Sequence, residues 1–216
     1  GGIIEVLLSP IVENCPTERK EAVMSLLHSF YCWGHVLLVV ASTLFFTVFG
    51  IGNWRILACI WALVPLFNAF YFMAVPIYPG GSHEPLSMGQ LFKQKIFWFF
   101  VVVMVCAGAS EQAMSQWASS FAESALGVSK TMGDLAGPCA FALLMGTSRA
   151  LYGKFSEWLP LKGAMAGSAA LCILCYVLAA FFGSPVLGLL GCALCGFSVG
   201  IFWPGTFSMA AGRLPG

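Results

Sequence analysis

Charge is what this sequence has least of. Only 9% of its 216 residues are Asp, Glu, Lys or Arg, against about 25% in an ordinary soluble domain. That shortage excludes a water-soluble globular fold. Ten basic residues against nine acidic ones leave a net charge of +1, which offers no basic surface to nucleic acid. Long polar stretches are scarce too, the one exception being residues 79–95. Nine cysteines are present without the setting of a disulfide framework, since all but Cys15 sit in apolar runs. In membrane helices such cysteines pack as small side chains. No convincing set of nucleophile and base, or of metal ligands, emerges, so the sequence gives no enzyme and no cofactor.

What the chain does have is apolar length, with 59% hydrophobic residues. Seven hydrophobic segments are tested against the roughly 20 residues that span a bilayer. They cover residues 1–12, 22–50, 54–78, 97–122, 132–152, 161–182 and 185–211. The first is too short to span. The chain starts at Gly1 inside that segment and ends at Gly216 just after the last one, which reads as an internal stretch of a longer protein. Short joins at Ile51-Gly-Asn53 and Gly183-Ser184 make antiparallel neighbours. The Pro-, Gly- and Ser-rich insert 79–95 reads as a linker between two bundles. One side of the membrane collects Arg19, Lys20, Lys93, Lys95, Arg149, Lys154, Lys162 and Arg213, the other only Arg55 and Lys130. This asymmetry makes the linker side cytoplasmic. The fold expectation is an all-α polytopic membrane protein in contact with the lipid bilayer.

The fourth segment carries the densest polar pattern. Gly108, Glu111, Gln112, Ser115, Gln116 and Ser119 fall on one arc of about 140° at 100° per residue. A charge at mid-bilayer costs about 2.5–3.5 kcal/mol, so such a stripe faces a bundle interior or a water-filled cavity. The alternative is a stripe of interhelical hydrogen bonds. Glu5 in the first segment shares a helix side with Gly1 and Ser9, and is either a proton carrier or an acid near the surface. His28 and His35 are about 10.5 Å apart along a helix axis, too far to ligate one metal ion. His28 is either a hydrogen-bonding site residue or a satisfied bundle histidine. Asn68, near Pro65, suits a ligand or a neighbouring helix equally. Thr131-x-x-Asp134 reads as a capping box.

Cys172-x-x-Cys175 and Cys192-x-x-Cys195 have zinc-like spacing, but apolar spans are not the turn-rich knuckles that present thiolates to zinc, and packing is expected. Gly133-x3-Gly137, Gly163-x3-Gly167 and Gly196-x3-Gly200 offer close-packing faces. Pro65, Pro138 and Pro204 should kink or break their spans.

Several stretches resemble the fucose–galactose–gluconate:proton symporter branch of the major facilitator superfamily. Gly2-Ile-Ile-Glu5 followed by Ser9-Pro10 is similar to its fourth span, which ends in Asn-Pro and carries the proton-coupling glutamate. His28-Ser-Phe-Tyr31-Cys-Trp-Gly34 resembles the fifth span, with His28 for Gln and Tyr31 for Asn. Gly108-Ala-Ser-Glu111-Gln112 through Trp117 resembles the sugar-binding seventh span, and Phe202-Trp-Pro204-x-x-Phe207-Ser208 the tenth. Gly146-x-x-Arg149-x-x-Tyr152-Gly153-Lys154 is a loose form of the superfamily's basic cytoplasmic loop signature.

The resemblance implies spans four to ten of twelve. Residues 1–78 would be the last three helices of the N-terminal bundle, 79–95 a cytoplasmic linker, and 96–216 the first four helices of the C-terminal bundle. It implies a monomeric carrier in the plasma (inner) membrane, with a small solute and a proton as its partners. Glu5 would couple the proton, and His28, Tyr31, Asn68, Glu111, Gln112, Gln116 and Trp117 would bind a sugar or similar solute. The rival readings are an efflux carrier for amphipathic compounds and a seven-helix receptor.

Overall fold

A computed structural model describes residues 2–77, 87–181 and 184–213. All the regular structure among them is helical. In chain order the helices are α1 (Gly2–Glu13), α2 (Lys20–Phe49), α3 (Trp54–Phe72), α4 (Met88–Phe92), α5 (Lys95–Leu126), α6 (Lys130–Asp134), α7 (Ala140–Phe155), α8 (Leu161–Phe181), α9 (Pro185–Val199) and α10 (Phe202–Ala211). Five stretches are long and apolar enough to cross a membrane: Lys20–Phe49, Ile51–Phe72, Lys95–Ser124, Leu161–Phe181 and Val186–Ala211. The chain is therefore a polytopic membrane protein, as its low charge requires.

The two other expected segments differ for identifiable reasons. The first yields only the 12-residue α1. The fifth is divided by Pro138, which cannot donate a backbone hydrogen bond; residues Leu135–Cys139 wind into a π-turn between α6 and α7. Proline also marks the break between α9 and α10. The second half of the linker is not all loop, because Ser87 and Gln90 form a reciprocal capping box that starts α4. Residues 79–86 lie outside the described residues.

Helix α2 lies along α7, α8 packs on α9, and α9 also meets α7 and α5. Helix α10 touches α5, α2 and α8, whereas α3 packs mainly on α2 and the 3-10 turn Ile51–Asn53. At one end Arg19 pairs with Glu157 at 3.1 Å and the Tyr152 hydroxyl donates to Glu21 at 3.2 Å. The start of α2 thus meets the end of α7, so the two helices run antiparallel. Helix α5 spans about 48 Å at 1.5 Å per residue, and a three-residue join after it leads into α6 at the far end. Gly127 in that join has φ +62°, a left-handed conformation that ends α5 cheaply only because glycine has no Cβ.

Two of the three glycine faces are used. A Cβ on Gly137 would sit 2.7 Å from the Ala118 carbonyl carbon, and one on Gly200 3.0 Å from the Met145 carbonyl oxygen. The third face is not: a Cβ on Gly167 would meet nothing within 4 Å, and one on Gly163 only Pro160. Helix α8 instead meets α9 at Gly191, whose Cβ would lie 2.9 Å from the Cys175 carbonyl oxygen.

Candidate functional site

The site begins with a missing hydrogen. Pro204 has no backbone N–H, so the Gly200 carbonyl four residues earlier loses its helical donor, and the chain breaks between α9 and α10. The Arg149 side chain fills that vacancy, donating from Nε to the Gly200 carbonyl at 2.6 Å. Its Nη1 donates to the His28 carbonyl at 2.9 Å and lies 3.1 Å from the Cys32 sulfur. Its Nη2 faces Glu111 Oε2 at 3.4 Å. The Arg149 side chain is 2% exposed and that of Glu111 14%. The Tyr31 ring flanks the guanidinium, with its centroid 6.0 Å away. Four helices, α2, α5, α7 and α9, therefore converge on one cation. Such burial is strongly unfavourable unless the charge is paired and its donors are used, and here both conditions are met.

Local sequence explains how Arg149 gets there. Gly146 and Gly153 flank it on the same face of α7, seven residues apart. A Cβ on Gly146 would be 3.0 Å from Cys32 Cβ, and one on Gly153 3.3 Å from the Ala22 carbonyl oxygen. Their lack of side chains lets α7 approach α2 closely enough for Arg149 to reach the α2 backbone. Ser25 completes the seam, donating from Oγ to the Arg149 carbonyl at 2.8 Å. The loop reading of Gly146, Arg149, Gly153 and Lys154 is corrected accordingly. All four lie within α7, the first three on its α2-facing side, and only Lys154, in the last turn, is an exposed cation.

The structure brings Glu111, His28 and Tyr31 to this centre and leaves others elsewhere. His28 Nε2 lies 3.2 Å from Ser9 Oγ, a contact that joins α2 to α1. Gln112 and Gln116 are exposed and bonded to each other, Nε2 of Gln116 donating to Oε1 of Gln112 at 3.1 Å. Trp117 is 70% exposed and borders a small apolar cavity of about 230 Å³ with Met114, Phe121 and Tyr176. Asn68 sits on α3, away from the convergence of helices. Glu5 lies in α1, and its side chain falls outside the described residues.

A second polar cluster occupies the opposite end. The Ser119 hydroxyl donates its one proton to Asp134 at 2.6 Å and lies 3.1 Å from Glu123, and Lys130 pairs with Asp134 at 3.2 Å and Glu123 at 3.6 Å. The hydrogen bond to Asp134 raises the pKa of the Lys130 ammonium. Asp134 is thus a partner of α5 rather than half of a capping box; Ser129 caps α6 by accepting from the Met132 N–H. Ser42, Thr43, Thr47, Lys130 and Asp134 line a cavity of about 530 Å³ there.

Cys172, Cys175, Cys192 and Cys195 are all buried in the apolar core with Met114, Phe141 and Val199. Among the described residues no group of three or more His, Cys, Asp or Glu is arranged to hold a metal ion. Replacing the four cysteines by Ala is expected to leave helical content and metal content unchanged. Stoichiometric zinc in the purified protein that disappears in this variant would overturn the packing reading.

Sequence reasoning missed the pairing of Arg149, although one pattern pointed to it. A basic residue between two glycines seven apart, within an apolar run, is a buried helix face more readily than a loop. None of the curated proteins and none of the solved structures matches the chain. The sequence model of the Major Facilitator Superfamily does, over residues 4–216, and the chain belongs to that superfamily of membrane transporters.

Proposed function

We propose that this protein is a secondary active transporter that takes up a sugar or similar small polar solute together with a proton, by alternating access. The observation that carries the reading is the Glu111–Arg149 pair, a nearly dry charge pair where helices from both sides of the linker meet. Residues 1–78 and 96–216 are then parts of two bundles, joined by a cytoplasmic linker at 79–95, and the solute sits between them. Contacts from Arg149 on α7 to the His28 carbonyl and the Cys32 sulfur of α2 cross that seam and must exchange as the bundles rock. Uptake in the manner of the sugar–proton symporter branch, a monomeric state and a plasma (inner) membrane location belong to the same reading. His28, Tyr31, Asn68, Glu111, Gln112, Gln116 and Trp117 are its solute-binding candidates, with Gln112, Gln116, Trp117 and Asn68 reaching the solute only after helix rearrangement.

Glu5 is the proposed proton carrier, on a helix tied to α2 through Ser9 and His28. Glu5→Gln, which mimics the protonated carboxyl, is expected in the full-length protein to abolish proton-driven accumulation while retaining energy-independent exchange. Normal accumulation with an unchanged pH dependence would remove Glu5 from the mechanism. The apolar cavity beside Trp117 favours the second reading, efflux of amphipathic compounds. Direction of net movement in right-side-out and inverted vesicles separates the two.

A further inference from the structure

We infer that the cavity of about 530 Å³ between α2 and α6 is a binding site for an uncharged polyhydroxylated solute, a sugar or sugar alcohol. The site's role, as a station where cargo is met before it moves deeper along the seam, rests on the transport reading; its chemistry does not. From Val36 to Phe49, α2 carries only three polar side chains, Ser42, Thr43 and Thr47, and all three line the cavity. Helix α6 carries three, Lys130, Thr131 and Asp134, and these line it too. Two elements from opposite sides of the linker thus bring every polar side chain of these stretches to one space. A packing void has no need of that, since cavities that stay empty are apolar. The volume lies in the ordinary range of small-molecule sites, about 300–1,000 Å³.

Hydrogen-bonding capacity is left over on both walls. On α2, Ser42 Oγ accepts from the Trp61 indole N–H at 3.3 Å and keeps its own proton to give. Thr47 donates to the Thr43 carbonyl at 2.8 Å, so its oxygen remains an acceptor. On α6, Lys130 meets Asp134 and Glu123 and has a third N–H in hand. Asp134 takes Ser119 and Lys130 on the same oxygen, Oδ1. Among the described residues its Oδ2 and the hydroxyls of Thr43 and Thr131 make no hydrogen bond. Each wall therefore offers donors and acceptors side by side. A ligand uses them all only if its groups both donate and accept, as an array of hydroxyls does. Phe46 and Pro138 add apolar surface for the C–H faces of such a solute.

Charged ligands fit less well. Two carboxylates already balance Lys130, so an anion drawn to it would meet the repulsion of Asp134 and Glu123. A cation would have to displace Lys130 from Asp134. A hydroxyl needs neither change, because it takes the spare oxygen and the spare N–H as they stand.

The test uses the purified full-length protein in detergent, with radiolabelled mannitol as the probe. Mannitol is expected to bind saturably and to be displaced by unlabelled glucose. Hexane-diol with the same carbon chain but hydroxyls only at its ends should not displace it, nor should methylammonium or acetate. Thr43→Val and Thr131→Val remove hydroxyls that hold nothing in the fold, so the unfolding temperature should stay unchanged. Each is expected to weaken mannitol binding about two- to tenfold, the worth of one neutral hydrogen bond, with the losses multiplying in the double variant. Val39→Phe, which narrows the cavity without touching a polar group, should weaken it as well. Absence of saturable binding, binding unchanged in both threonine variants, or displacement by either ion overturns the inference. Accumulation of mannitol or glucose by proteoliposomes, with the threonine variants behaving as wild type, overturns it too but leaves the transport reading intact. Saturable, threonine-dependent binding without transport of either probe upholds the site and counts against the transport reading instead.

Discussion

Arg149→Ala is expected to be the most destabilising single substitution in the chain, costing about 3–5 kcal/mol, the range for breaking one side of a buried pair. The change removes more than an ion pair. It strands the Glu111 carboxylate, leaves the Gly200 carbonyl without the donor that Pro204 cannot supply, and withdraws donors from the His28 carbonyl and the Cys32 sulfur. Thermal unfolding in mild detergent should show a large fall in melting temperature with loss of the monodisperse form. The double variant Arg149→Ala/Glu111→Gln should recover part of the loss, because no uncompensated charge remains buried. The orphaned Gly200 carbonyl persists, so recovery should be incomplete. Equal destabilisation of the single and double variants would show that charge pairing contributes nothing, and that Arg149 acts through its carbonyl contacts alone.

That expectation shows where sequence reading reaches and where it stops. Low charge and long apolar runs suffice for a polytopic helical protein, because burying peptide groups in lipid permits little else. Helical periodicity picks out Glu111 as a polar residue facing inward, and the structure places it there. The same arc includes Gln112 and Gln116, which the structure leaves bonded to each other on the exposed side. Periodicity fixes an angle around a helix axis, while the neighbour at that angle depends on packing of distant segments. Arg149 illustrates this most sharply. Beside Gly146, Gly153 and Lys154 it reads as a loop cation, and it is counted with the basic residues of one membrane side. Its burial depends on three separate stretches at once: the glycines that admit α2, Pro204 that vacates a carbonyl, and Glu111 that balances the charge. Each is visible alone, but nothing local links residue 149 to residue 200. Asp134 departs from its local pattern for a similar reason: a cap pattern is local, and its partner Ser119 is on another helix.

The glycine stripes allow a controlled comparison of close packing in the same molecule. A Cβ at Gly196 would overlap the Phe141 carbonyl oxygen, with the carbonyl carbon at 2.9 Å and Cα at 3.0 Å. These are backbone atoms of a neighbouring helix, so no side chain can rotate to relieve the contact. Helices α7 and α9 would have to separate, which also loosens the Met145 and Ser148 contacts at Gly200 and draws the Gly200 carbonyl away from Arg149. Gly196→Ala is therefore expected to cost about 3 kcal/mol, at the upper end of overpacking. Gly167→Ala lies in the same kind of motif, but its Cβ would meet nothing within 4 Å. There the gain in helix propensity should stabilise by about 0.5–1 kcal/mol. The two variants should thus shift the unfolding temperature in opposite directions under the same detergent conditions. Equal losses at both positions would mean that α8 also uses its glycine face against another surface, whereas a neutral Gly196→Ala would mean that α7 and α9 do not approach this closely in the membrane.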